Sequence, residues 1–237
     1  EGLFRLELNA SKQFTVRDLS ITAEDMVLSF SSGTAFVAET RAGVSSLVVT
    51  GVGQMQFTPE PEWERGQLRI FCGAEQLVAS ITTAFVRLNP QEFAQRVEQR
   101  ALVAQAVNPK ELARAQRIFT EGITAAYALD LGEYSRETWS LIPAIGDFLA
   151  DIRTRKYGTL TFSTVVNEPE GVQLFDRKRK RTISAYPSRG VRNTRGSAFD
   201  EDRLTEYDIL DYDIDASFSP KQMWLDGQVR VQLRSRR

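Results

Sequence analysis

The sequence predicts an α+β protein: an antiparallel, β-sandwich-like sheet part with a helical insertion, followed by a C-terminal β-hairpin. Three observations predict it. Apolar and polar residues alternate from about Gln13 onward, with turn residues between the runs. The middle of the chain carries two copies of an Asn-Pro-x-Glu helix start. The last part holds two strictly alternating runs separated by a proline-containing connection.

From Gln13 to Cys72 the chain reads as strands. Met26, Leu28 and Phe30 alternate with Val27, Ser29 and Ser31, and the run is expected to stop at the turn signal Ser32-Gly33. A second run puts Leu47, Val49, Gly51, Gly53, Met55 and Phe57 on one face, before Pro59 and Pro61 end it. Glycines on the apolar face of a strand predict a bulge or the close approach of another segment. The lone Cys72 lies in the apolar run Leu68 to Cys72 and is expected as a small buried hydrophobe.

Helices are expected next. In Asn89-Pro90-Gln91-Glu92 and Asn108-Pro109-Lys110-Glu111, Asn suits the N-cap and Pro the first helical position. The Glu three residues on can reach back to the N–H of the cap. The first helix would bury Phe93, Val97, Ala101 and Ala104; the second Leu112, Ala115, Ile118, Phe119 and Ile123, with Gly122 weakening or ending it. A short helix over Asp147–Arg153 and a strand over Gly158–Phe162 follow. The expected division is 1–166 as an accessory domain, 167–203 as a linker, and 204–237 as the first strands of a further β-rich domain. The basic run Arg177 to Arg181 lies in that linker. It reads first as a solvated or internally ion-paired stretch, with contact to an anionic surface as the alternative.

Composition narrows the chemistry. The 237 residues contain no histidine and one cysteine. That removes Ser-His-Asp and Cys-His catalysis, most zinc sites and an intramolecular disulfide. Carboxylate-only hydrolysis survives, with Glu60, Glu62 and Glu64 or Glu168 and Glu170 as candidates. Trp63, Trp139 and Trp224 are candidates for a carbohydrate or peptide platform. Net charge is −1, which argues against nucleic acid as a partner. No apolar run is long enough for a transmembrane helix. The start at Glu1 suggests a processed or truncated terminus, so an envelope or secreted location is expected with the cytoplasm left open.

Near the end, Leu210, Tyr212, Ile214, Ala216 and Phe218 alternate with Asp211, Asp213, Asp215 and Ser217, and Val229, Val231 and Leu233 alternate with Gln228, Arg230, Gln232 and Arg234. Paired, they give an acidic edge opposite a basic one and one apolar face to bury. Asp211-x-Asp213-x-Asp215 imitates the opening of a calcium loop, but Ala216 stands where Gly is required and Gln222 where a bidentate Glu is required.

Tyr207 to Asp215, then Pro220, then Asp226 to Val231 resemble the opening strands of the β-saddle domain of M1 zinc aminopeptidases. Val16 to Leu19, Ser32-Gly33, Gly51-Val52-Gly53, Phe57-Thr58-Pro59 and Glu64 to Leu68 are similar to an extra N-terminal domain on some bacterial proteins of that family. The family's His-Glu-x-x-His helix and Gly-x-Met-Glu-Asn motif have no counterpart here, so no catalytic residue carries over. The resemblance implies a non-catalytic accessory piece whose partner is the downstream peptidase domain, with zinc only in that domain. Contact between the two would involve Tyr207, Leu210, Tyr212, Ile214, Phe218, Trp224, Val229 and Val231. The alternatives are a stand-alone carbohydrate- or peptide-binding module and a carboxylate-based hydrolase.

Overall fold

A computed structural model describes residues 7–130, 143–166, 168, 170–195, 207–219 and 224–235. The chain divides into two compact units, Glu1–Ser197 and Ala198–Arg237. Among the described residues antiparallel sheet dominates both: nine strands in the first and a two-stranded hairpin in the second.

The first unit is built on β1 (Gln13–Ala23), β2 (Met26–Thr40), β3 (Gly43–Phe57), helix α1 (Glu62–Cys72) and β4 (Leu77–Leu88). A one-turn helix α2 (Phe93–Arg96), β5 (Leu102–Gln105) and the long helix α3 (Pro109–Asp130) come next. Strands β6 (Phe148–Thr154), β7 (Gly158–Thr164), β8 (Val172–Asp176) and β9 (Arg181–Tyr186), then helix α4 (Arg189–Arg195), complete it. The strand order is β5-β1-β2-β3-β4-β6-β7-β8-β9, a meander in which only β5 returns to lie beside β1.

The two halves of this single sheet face each other across one core. Phe57 of β3 meets Phe162 of β7 edge-on at 5.7 Å and stacks with Tyr186 of β9 at 6.4 Å. The alternation of Met26, Leu28 and Phe30 is real, and all three are buried in this core. The strand does not stop at Ser32-Gly33. A bulge between Phe30 and Ser32 shifts the alternation by one, so Ala35 and Val37 continue the inner face while Phe36 and Ala38 turn outward. A bulge takes up one extra residue without ending the ladder. The glycines sit where backbones touch: Gly33 pairs with Gly51, and a Cβ on Gly51 would lie 2.0 Å from Ser32 O.

The outward residues are covered by α3. Ala115, Ile118 and Phe119 pack on Phe36, Ala38, Val48, Phe85 and Leu149, with Phe85 and Phe119 edge-on at 5.9 Å. Gly122 does not end the helix; it lets α3 settle on the Phe85 ring, where a Cβ would come within 2.5 Å. Replacing Gly122 by Ala is expected to destabilise the fold by about 1–3 kcal/mol through overpacking, although Ala is favoured inside a helix by about 1 kcal/mol. A lowered urea midpoint is the expected reading; a raised one would mean that Phe85 moves aside freely.

Four expectations are corrected. Residues 62–72 are helix rather than strand, because Glu64 and Leu68 fall at helical spacing and are buried together; Gly73 ends the helix in a left-handed conformation, φ 84°. The helix begun at Asn89 ends at Arg96. Asn89 does cap it, accepting from Gln91 N at 2.9 Å, but Val97 is extended and bridges to Ile21, and Leu102–Gln105 joins the sheet beside β1. Residues 148–154 are strand, with Phe148, Ala150 and Ile152 on the inner face. Within the expected linker 167–203 lie strands β8 and β9, whose Val172, Leu174, Ile183 and Tyr186 belong to the core. The basic run is the turn joining them.

The capping glutamates also behave differently. Asn108 caps α3 by accepting from Lys110 N at 2.9 Å, but its own N–H is taken by Gln13 Oε1 at 2.6 Å, from β1, and not by Glu111. Glu92 accepts from Arg96 and from Gly146 N at 2.8 Å, tying α2 to the segment before β6.

The second unit is the antiparallel pair β10 (Tyr207–Ser219) and β11 (Trp224–Ser235).

Candidate functional site

Each carboxylate that the sequence offered for catalysis has a structural assignment. Glu64 is buried on α1, where Oε2 accepts from Ser184 Oγ at 2.6 Å and from Ala185 N at 3.3 Å, fastening α1 to β9. Glu60 accepts from Arg192 at 2.5 Å and Arg189 at 3.4 Å. The Arg192 guanidinium, with help from Arg189, holds the Glu60 carboxyl below the usual carboxylate range. Glu62 is exposed in the first turn of α1, and Glu168 and Glu170 are exposed on the β7–β8 connection. Of the five, Glu168 alone lines a described cavity, between β6 and β7, and no proposed partner lines it too, as a facing pair for glycoside hydrolysis would require.

Sequence reasoning missed the polar network that closes the sheet. The hairpin tip between β1 and β2 places Asp25 against the last strand, where its carboxylate accepts from Tyr186 Oη at 2.8 Å, Glu60 N at 2.9 Å and Arg189 Nη2 at 3.2 Å. Arg192 lies over the Tyr186 ring, 5.5 Å from its centroid, and donates to Pro187 O at 2.6 Å. Burial, with the Asp25 charge next, pushes the Tyr186 hydroxyl far above its ordinary pKa of 10.0. The network joins residues about 160 apart in sequence, as the Tyr186–Asp25 separation of 161 shows. The only local trace is the acidic tip Glu24-Asp25 between two strands.

A groove of about 210 Å³ runs between α3 and the outer face of β4, β6 and β7. Its carboxylates are held: Arg177 grips Asp151 at 3.0 and 3.2 Å, Thr161 donates to Asp151 at 2.5 Å, and Arg153 pairs with Glu121 at 2.5 Å.

Trp63 stands exposed on α1, the side chain of Trp224 lies outside the described residues, and so does Trp139 altogether. Cys72 is half-buried rather than buried; its thiol faces the carbonyls of Ala74 and Gln76 at 3.5 and 3.8 Å.

The hairpin carries the expected contact residues. Tyr212 lies opposite Val231 and Ile214 opposite Val229. A bulge between Ile209 and Asp211 makes Leu210 the extra residue and sets Ile209 opposite Leu233. Leu210, Tyr212, Ile214, Val229, Val231 and Leu233 are all exposed, Ile214 by 63%. For Tyr207, Phe218 and Trp224 the backbone pairs with Ser235, Leu225 and Ser219, and their side chains lie outside the described residues. On the opposite face Asp213 pairs with Arg230 at 3.2 Å, while Asp211 and Asp215 face Gln232 and Gln228. In this strand the three carboxylates are spaced by about 6.6 Å. Among the described residues no three His, Cys, Asp or Glu side chains gather to hold a metal ion, and no helix is long and apolar enough to cross a membrane.

Comparison with protein-family models, with curated proteins and with solved structures returns no match.

Proposed function

We propose that the chain is the non-catalytic N-terminal accessory region of a larger bacterial protein of the M1 zinc-aminopeptidase type. Its hairpin packs on, orients or regulates the peptidase domain that follows. The observation that carries this reading is the hairpin: a two-stranded ribbon of 12–13 residues per strand with six described apolar side chains in water. Such a ribbon is marginal alone, and an apolar face of that size marks a contact surface. Zinc belongs to the downstream domain in this reading, and the setting is the cell envelope or the exterior, with the cytoplasm as the alternative.

The test is hydrogen exchange at the amides of β10 and β11, in this chain and in the native polypeptide extended downstream. The expected result is rapid exchange in the short form and strong protection in the extended one, together with zinc-dependent release of N-terminal amino acids by the latter. Equal exchange in both forms removes the packing role. An extended protein without that activity removes the peptidase parent.

A further inference from the structure

Three segments of the first unit converge at one end of its sheet. The β6–β7 and β8–β9 turns lie side by side: Arg177 N donates to Thr159 O at 3.2 Å, and a Cβ on Gly158 would meet the Lys178 side chain at 4.0 Å. The end of α1 joins them, for the Phe71 ring lies 4.9 Å from that of Tyr157 and 5.8 Å beneath the Arg179 guanidinium.

The two turns display Arg155, Lys156, Lys178, Lys180 and Arg181, all exposed and none with a carboxylate partner among the described residues. The acids of the strands that carry these turns, Asp151 and Asp176, are already held by Arg177 and Arg179. A chain of net charge −1 thus gathers a block of uncompensated positive charge at one end. Beside it, at the end of α1, stands Ile70, 76% exposed; Trp63, 56% exposed, lies on the same side of the helix about two turns away, toward Ser184.

We propose that this end of the sheet docks on the surface of an anionic lipid bilayer, with the arginines and lysines at the lipid phosphates and Ile70 and Trp63 in the interfacial layer. The pairing of cations with exposed aliphatic and indole groups is what a membrane interface selects. A phosphodiester chain would use the cations but has no use for Ile70, and it would want free aromatic faces, whereas Phe71 and Tyr157 are occupied with each other. The proposal goes beyond the accessory role and does not depend on it, since it rests on other residues in the other unit.

The experiment is co-sedimentation of the 237-residue chain with vesicles of phosphatidylcholine mixed with phosphatidylglycerol, and with phosphatidylcholine alone, at low salt. The chain is expected to pellet with the mixed vesicles only, and added salt should weaken that binding. The variant R155E/K156E/K178E should bind at least about tenfold more weakly, and I70D several-fold more weakly, with circular dichroism unchanged because every substituted side chain is exposed. K110E, on α3, should bind as the wild type. Failure of the wild-type chain to pellet, or equal binding by the triple variant, overturns the proposal. So does charge-dependent binding to a duplex oligonucleotide without affinity for either vesicle, which would assign the patch to nucleic acid.

Discussion

Replacing Tyr186 by Ala should cost about 3–5 kcal/mol of stability, the range for emptying a large aromatic site in a core. Tyr186 is fully buried, stacks with Phe57, and lies beneath Arg192. Its hydroxyl reaches Asp25 from the far end of the sheet. The ring fills space between β3 and β9, and the hydroxyl satisfies the carboxylate of Asp25, whose side chain is nearly buried. Tyr186→Phe separates the two roles. It keeps the ring, and Asp25 keeps Glu60 N and Arg189, so the expected loss is about 1.5–3 kcal/mol, that of one hydrogen bond to a charged group. Urea unfolding of both variants checks the ordering; a Phe variant as damaged as the Ala variant would locate the stabilisation in the hydroxyl instead of the packing.

The same residue makes stability pH-dependent at the alkaline end. Its folded-state pKa is raised, chiefly by burial, above an ordinary value of 10.0. The contribution is therefore complete below pH 10 and declines as pH rises above it, where only the unfolded chain ionises. The slope for one such group is about 1.4 kcal/mol per pH unit. Comparing wild type with Tyr186→Phe between pH 9 and 11 isolates it, since other lysines and tyrosines titrate in both; parallel curves would contradict the assignment. Glu60 acts with the opposite sign at low pH, because its folded pKa is depressed and its contribution fades as pH falls. Being on the surface, it contributes little.

The strands that were legible are those whose alternation is uninterrupted. Leu47 to Phe57 and the run from Tyr212 to Ala216 follow the period of two, and the structure pairs them accordingly. Where the period breaks, the reason is tertiary. Val97, Ala101 and Ala104 sit at helical spacing from Phe93, yet the free edge of β1 offers a ladder, and residues 102–105 take it. The basic run drew attention away from Val172, Leu174, Ile183 and Tyr186 on either side of it, because each of those strands is too short to show its own pattern. The Asp25–Tyr186 network left only the acidic tip Glu24-Asp25 as a sequence signal, because closure of the sheet alone brings its residues together. The apolar alternation of the hairpin was legible because the period of two is unbroken from Tyr212 to Ala216 and from Val229 to Leu233.

Replacing Gly51 by Val should be among the most damaging single changes, costing at least about 3 kcal/mol, the top of the usual range for overpacked sites. Ordinarily a glycine inside a strand is a weakness, and a larger residue improves the strand by about 0.5–1 kcal/mol. Here the sign reverses. Gly51 lies opposite Gly33 in the centre of the sheet, and a Cβ on Gly51 would stand 2.0 Å from Ser32 O and 2.7 Å from Gly33 Cα. Both obstacles are backbone, fixed by the β2–β3 ladder and by the bulge at Ser31, so no side chain can rotate out of the way. The strands must separate, and that loosens the core on one face and the seat of α3 on the other. Gly66 supplies the control, because a Cβ there meets nothing within 4 Å inside α1. Gly66→Ala should therefore stabilise the fold by about 0.5–1 kcal/mol. Thermal or urea midpoints moving in opposite directions for the two variants would confirm that close backbone approach, and not strand propensity, keeps Gly51; a Gly51→Val protein as stable as wild type would refute it.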